Sequence, residues 1–151
     1  MIDREKLKKS YQAAAIAVAG ITGTIFFYTV IVEMLNKTGY RPPLQAADAG
    51  GAKYALYFLA LSALAVLKMA GLKLGGKKDT PDETIKALTA LAIVRAALCE
   101  VPAVAGLLIF LLTGGRSDFY LLIVISLGLE IYNFPRLAQW EEKIRGDFGQ
   151  L

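Results

Sequence analysis

Four charged side chains fall inside stretches that are otherwise apolar: Lys68 in one, Arg95 and Glu100 in the next, and Glu130 in the last. Glu100 is the most exacting of them, because it stands at the centre of the apolar run Leu88–Leu112. At 1.5 Å per residue it lies about 18 Å from the far end of that run, near the middle of a hydrocarbon layer about 30 Å thick. A carboxyl at that depth is neutral, paired or ion-bound, since an isolated charge there costs several kcal/mol. Such a group is suited to taking up and releasing a proton or binding a cation. Pro102 follows two residues later and removes the backbone donor to the carbonyl of residue 98. A freed carbonyl beside an acid is a further ligand for a proton, Na⁺ or water; a plain packing kink is the structural alternative. Glu100, Pro102 and the adjoining Cys99 form the candidate ion-binding set.

The other three charges reach comparable depth. Counted from the same side, Glu130 is about 16 Å in, Lys68 about 21 Å and Arg95 about 25 Å. Two acids and two bases on three helices are expected to form a closed ionic network, because intramembrane charges face the bundle interior and pair. Arg95 and Glu100 are five residues apart, about 140° round a helix, so Arg95 is expected to reach across to Glu130. Lys68 has a second option, with its long stem carrying the ammonium to the nearer surface. Beside Glu100 runs a stripe of small residues, Ala92, Ala96, Cys99, Ala103 and Gly106. A second ladder, Ala15, Ala19 and Gly23, lies near the N-terminus. Both are surfaces on which another helix can approach closely.

The elements that must position these residues are read from charge and hydropathy. The chain has 151 residues, 56% apolar and 20% charged, which leaves room for one domain and none for a separate soluble catalytic unit. No residue from Tyr11 to Val32 is charged. The expected fold is all-α: a four-transmembrane-helix bundle with spans at about 11–35, 52–74, 81–112 and 119–134, after a cytoplasmic lead-in at 1–10. The N-terminal run is longer than a secretory h-region and has no small-residue cleavage pattern, so an uncleaved first span is expected. Gly39, Pro42, Pro43 and Gly50-Gly51 mark the first connection as a loop. Thr80, Pro81 and Glu83 form a capping box with proline at the first helical position, and Gly114-Gly115 ends that helix. Glu33, near the end of the first span, is expected to be solvated. After Pro135, the tail 135–151 places Leu137, Trp140, Ile144 and Phe148 on one helical face, the pattern of an amphipathic helix lying on the membrane surface.

Twelve Lys and Arg residues fall on the side holding the termini and the middle loop, against Lys37, Arg41, Lys53 and Arg116 on the other. This bias places both termini in the cytoplasm, with the cell membrane as the location. It also accounts for the net charge of +4 without a nucleic-acid partner. There is no histidine and only one cysteine. Internal disulfides and Cys/His zinc sites are thereby excluded, and no metal site or cofactor is expected. No nucleophile–base pair or phosphate loop is present, so the chain is not expected to be an enzyme.

The segment AALCEVPAVAGLLIFLL (96–112) resembles the carboxylate-bearing helix of the rotary ATP synthase c subunit, the proteolipid. There too an acid is followed by a small residue or proline, an alanine and then Gly-Leu-Leu. The likeness is local, covering residues 93–112. It implies that Glu100 matches the family's carboxyl that binds the transported H⁺ or Na⁺. Three functions are compatible with these readings. The first is a scaffold or accessory subunit of a membrane complex, with the buried charges as an ionic network. The second is a proton- or Na⁺-coupled translocation element using Glu100, and the third is binding of a lipid or apolar ligand between helices. The partners expected are the lipid bilayer and either further copies of the chain or a larger membrane complex.

Overall fold

A computed structural model describes residues 4–44, 49–76 and 78–149; Lys77, counted above with the basic loop, lies outside them, as do residues 1–3, 45–48 and 150–151. The described residues are all-helical, without strands. The helices are α1 (Arg4–Lys37), α2 (Ala49–Leu74), α3 (Pro81–Thr113), α4 (Arg116–Asn133) and α5 (Leu137–Phe148). α1, α2 and α3 are each long and apolar enough to cross a membrane, and α4 with α5 makes a fourth candidate span bent by 47°. The total is therefore three, or four with the bent pair. The reason is composition: the 18 residues of α4 include Arg116, Asp118 and Glu130, too many charges for so short a helix to count as an apolar span alone.

Local chemistry sets the ends. Thr80 is the N-cap of α3 and accepts from the Glu83 N–H at 3.3 Å, with Pro81 at the first helical position. Gly114 closes α3 at φ 71°, a conformation open to glycine at little cost, and its N–H donates to the Phe110 carbonyl. Gly115 then passes directly into α4, so Arg116, Ser117 and Asp118, expected in a tight loop, form that helix's first turn. Gly50 and Gly51, expected in a loop, likewise lie in the first turn of α2, where unpaired N–H groups are inherent to a helix start. The charged lead-in is continuous with the first span as one 34-residue helix.

α1 to α4 run alternately up and down, with α3 at the centre and α5 continuing α4 beyond the bend. Of the most apolar window of each long helix, 44% of α3 is buried against 17% of α1 and 11% of α2. α3 packs on α1, α2 and α4, while α1 and α4 touch only slightly. α1 and α3 are parallel: Lys6 meets Asp82 at one end and Thr24 meets Glu100 further along.

The seam that joins them is a heptad pattern in α1. Leu7, Tyr11, Ala14, Val18, Ile21, Ile25, Tyr28, Val32 and Leu35 follow one another at alternating steps of four and three, and all nine pack in two of the core clusters. Such a stripe keeps a long helix in continuous register with a partner. It displaces the Ala15–Ala19–Gly23 ladder from the role expected of it. Ala19 is exposed, and a Cβ on Gly23 would meet nothing within 4 Å. The small stripe of α3 does face a helix. Ala96, Cys99 and Ala103 are fully or almost fully buried. A Cβ on Gly106 would lie 3.1 Å from Leu122 Cβ and 3.2 Å from the Phe119 carbonyl oxygen of α4.

The tail differs from expectation. Phe134, preceding Pro135, takes the extended backbone that prolines impose on the residue before them (φ −58°, ψ 130°), and the chain turns there. α5 is bent by 47° from α4. Its apolar face instead packs inward on the ends of α1 and α3, against Leu7, Ala14, Val18, Ile85, Ala92 and Ala96. Trp140 and Ile144 are buried, with Leu137 and Phe148 partly so. The assignment of these four residues to the membrane surface is therefore corrected: α1 extends beyond its apolar stretch and covers the face that lipid was expected to cover. Tyr11 ties the junction, its ring edge-on to Trp140 at 5.7 Å and its hydroxyl 3.4 Å from the Pro135 carbonyl oxygen.

Gly106→Val tests the central packing. Filling this contact forces α4 away from α3, and a loss of about 1–3 kcal/mol is expected. It would be read as a lower thermal midpoint in detergent, whereas Gly23→Val, in open space, leaves the midpoint unchanged.

Candidate functional site

Glu100 projects from the middle of α3 toward α1 and is half-buried. Its Oε1 lies 2.5 Å from the Thr24 hydroxyl and 2.5 Å from the Tyr28 hydroxyl. These two residues are one turn apart, and Tyr28 belongs to the heptad seam, which is why its side chain points at α3. Both hydroxyls converge on the same carboxyl oxygen.

The proton bookkeeping of this cluster is informative. Thr24 has one hydroxyl proton and two acceptors in reach, the Ile21 carbonyl at 2.6 Å and Glu100 Oε1. With Glu100 ionised, both hydroxyls donate to Oε1. With Glu100 protonated on Oε1, the carboxyl donates to Thr24, Thr24 donates to Ile21, and Tyr28 still donates to Oε1. One heavy-atom arrangement thus satisfies both protonation states, and only hydrogens move.

Glu130 is the second acid. It is 2% exposed, and its Oε1 has no hydrogen-bond partner. It lines a groove of about 490 Å³ between α1 and α4, with Ala19, Thr22, Gly23 and Phe26 on the opposite side. The groove exists because α1 and α4 diverge across the face of α3, and the unpacked Ala19–Gly23 ladder is its wall. Glu130 and Glu100 are close enough for their charges to interact.

The expected ionic network is not formed. Among the described residues, none of Lys68, Arg95, Glu100 and Glu130 enters a salt bridge. Helical phase explains it: Glu100 faces α1, whereas Arg95 faces α2, lying against Gly71. Glu130 turns to the α1 groove rather than to Arg95, and Lys68 is exposed on the outer surface of α2. The candidate set Glu100, Cys99 and Pro102 is also divided. Cys99 is fully buried toward α4, where the Ser126 hydroxyl donates to its carbonyl and the Asn133 amide lies 3.7 Å from its Sγ. Pro102 is buried within an unbroken helix. Neither joins Glu100, because consecutive helical residues point about 100° apart. Among the described residues, no group of three or more Cys, Asp and Glu converges as a metal site.

Two features lie outside the sequence-based expectations. Thr24 and Tyr28 are polar residues of an apolar span, and the heptad spacing of Tyr28 is the signal that marks it as core-facing. Glu33, expected to be solvated, accepts from Arg116 at 2.8 Å and from the Tyr120 hydroxyl. With Asp118 bonded to Lys53 at 2.7 Å and Tyr57 at 2.9 Å, these contacts pin α4 to α1 and α2 at the end opposite the termini.

Tyr28→Phe removes one of the two donors to Glu100 and is expected to cost about 1–3 kcal/mol of stability, the range for a buried hydrogen-bonding group left short of a partner. Measured by thermal unfolding in detergent, the same change costs less when Glu100 is already alanine, because the interaction it removes is then absent.

Compared with protein families, curated proteins and solved structures, the chain matches none.

Proposed function

We propose that this protein is a proton-coupled element of the cell membrane, in which Glu100 is the carboxyl that binds and releases the proton. The observation that carries the reading is the placement of Glu100 at mid-helix, held by two hydroxyls of α1 with no cation beside it. A structural ion pair would fix one charge state; a hydroxyl cage tolerates two. Glu130 supplies a second stop, because its buried carboxyl opens on the groove between α1 and α4. In this reading a proton passes between the groove and Glu100 by way of Glu130. Two hydroxyl groups, each able to donate or accept a proton, suit the binding and release of H⁺ at this carboxyl. The local likeness of residues 93–112 to the proteolipid helix of rotary ATP synthases supports a carrier role for the same residue. We orient the chain with both termini in the cytoplasm, on the twelve-to-four excess of basic residues.

A second reading is a scaffold or accessory subunit, and a specific feature favours it: on the Ala15–Ala19–Gly23 ladder of α1, Ala19 is exposed and a Cβ on Gly23 would meet nothing within 4 Å, a surface of the kind a neighbouring transmembrane helix uses. The two readings are compatible, since a bundle this small completes a pathway most simply by assembling.

Glu100→Gln distinguishes them. The amide oxygen accepts from Thr24 and Tyr28 as the carboxylate does, so the bundle stays folded, but no proton can be carried. In proteoliposomes under an imposed pH gradient, the wild-type protein is expected to dissipate the gradient faster than empty vesicles, and Glu100→Gln to return the rate to that of empty vesicles. An unchanged rate in the variant, with normal helicity and particle size, contradicts the proposal.

A further inference from the structure

Arg95 remains without a role in the proton site, and its surroundings give it one. The guanidinium reaches from α3 over Gly71 of α2; a Cβ at that position would lie 2.9 Å from Nη2. Glycine at this position makes room for the side chain. Beside it is a cavity of about 350 Å³, bounded by α2, α3 and the junction of α4 with α5. Lys143, Asn133, Gln139 and Trp140 line it together with Arg95, and no acidic residue does. Lys143 is shared with Asp147 at 3.0 Å, whereas Arg95 makes no hydrogen bond or salt bridge among the described residues. A half-buried guanidinium that lines such a cavity without a partner is a costly arrangement unless an anion completes it.

The chemistry of that anion follows from the donors. The planar fork of N–H groups of Arg95, with the Lys143 ammonium and the Gln139 side-chain amide on the same lining, matches the oxygens of a phosphate group; the Asn133 amide is already committed to the Leu129 carbonyl and Cys99 Sγ. Leu88 and Leu91 form the apolar part of the wall. Arg95 is about 10 Å along α3 from the first residue of the apolar stretch, within reach of a phosphate drawn in from the surface at the end holding the termini. Basic pockets between helices at that level take anionic headgroups.

We propose that this pocket binds a phosphate-bearing anion through Arg95, either the headgroup of an anionic phospholipid or a free phosphate. The site is separate from Glu100, which faces α1.

Trp140, the single tryptophan of the chain, lines the pocket and reports on it. The full-length protein is placed in phosphatidylcholine nanodiscs doped with brominated-chain phosphatidylglycerol or brominated-chain phosphatidylcholine, and Trp140 fluorescence is followed. Phosphatidylglycerol is expected to quench at a mole fraction about tenfold lower than phosphatidylcholine, the scale of one charge-assisted contact, and Arg95→Gln to remove the difference. Gly71→Ala, which keeps the charge and crowds only the mobile end of the guanidinium, is expected to weaken the preference and carries the test should Arg95→Gln not fold. An Arg95-dependent change in emission on adding inorganic phosphate to undoped discs, with no lipid preference, identifies the free anion as the occupant. Equal quenching by the two lipids with no response to phosphate overturns the proposal, as does a preference that survives in Arg95→Gln.

Discussion

The hydrogen bonds between Glu100 and the Thr24 and Tyr28 hydroxyls are the constraint around which the bundle is arranged. An acid in the middle of an apolar helix has to find its partners within the protein, and hydroxyls can reach it only if α1 lies parallel to α3 in one register. The heptad seam from Leu7 to Leu35 supplies that register along the whole of α1. A slip of one residue would turn Tyr28 away and leave the carboxyl unpartnered. Non-directional packing and the directional polar contact therefore select the same alignment, a mutual consistency characteristic of sequences that specify one structure.

Other features follow from α3 as the hub. Its faces are divided by chemistry: Glu100 toward α1, Cys99 and Gly106 toward α4, Arg95 toward α2. Because α1 and α4 each pack chiefly on α3 and little on one another, a lateral groove opens between them with Glu130 in its wall. The charges anticipated as a network are separated by this division. Each acid has its own environment, and Arg95 its own cavity. The end opposite the termini is held differently, by Glu33–Arg116 and Asp118–Lys53. These partly solvated pairs add little stability singly but fix α4 against two neighbours.

Much of the helical layout is legible in local chemistry. The α3 start follows from Thr80, Pro81 and Glu83, its end from Gly114, and the depth of Glu100 from counting residues. Side-chain partnership was less legible, because it depends on the relative phase of helices far apart in the chain. Glu100 and Thr24 are separated by 76 positions, and the charge pattern alone favoured an Arg95–Glu130 pair that helical phase forbids. The 3–4 spacing on α1 was available to a reader of the sequence, but the small-residue ladder beside it competes for the same role. The tail is the other instance. An amphipathic face states that one side must be covered and not by what; only the length of α1 beyond its apolar stretch decides that protein, rather than lipid, covers it.

The central claim is that Glu100 holds a proton inside the bundle and exchanges it. Infrared difference spectroscopy of the lipid-reconstituted protein, cycled between acidic and alkaline buffer, observes this directly through the carbonyl stretch of protonated carboxylic acids. A band that appears at acid and disappears at alkaline pH, absent from Glu100→Gln and shifted in Tyr28→Phe by loss of its hydrogen bond, is the predicted result. A spectrum of Glu100→Gln identical to that of the wild type would contradict the account.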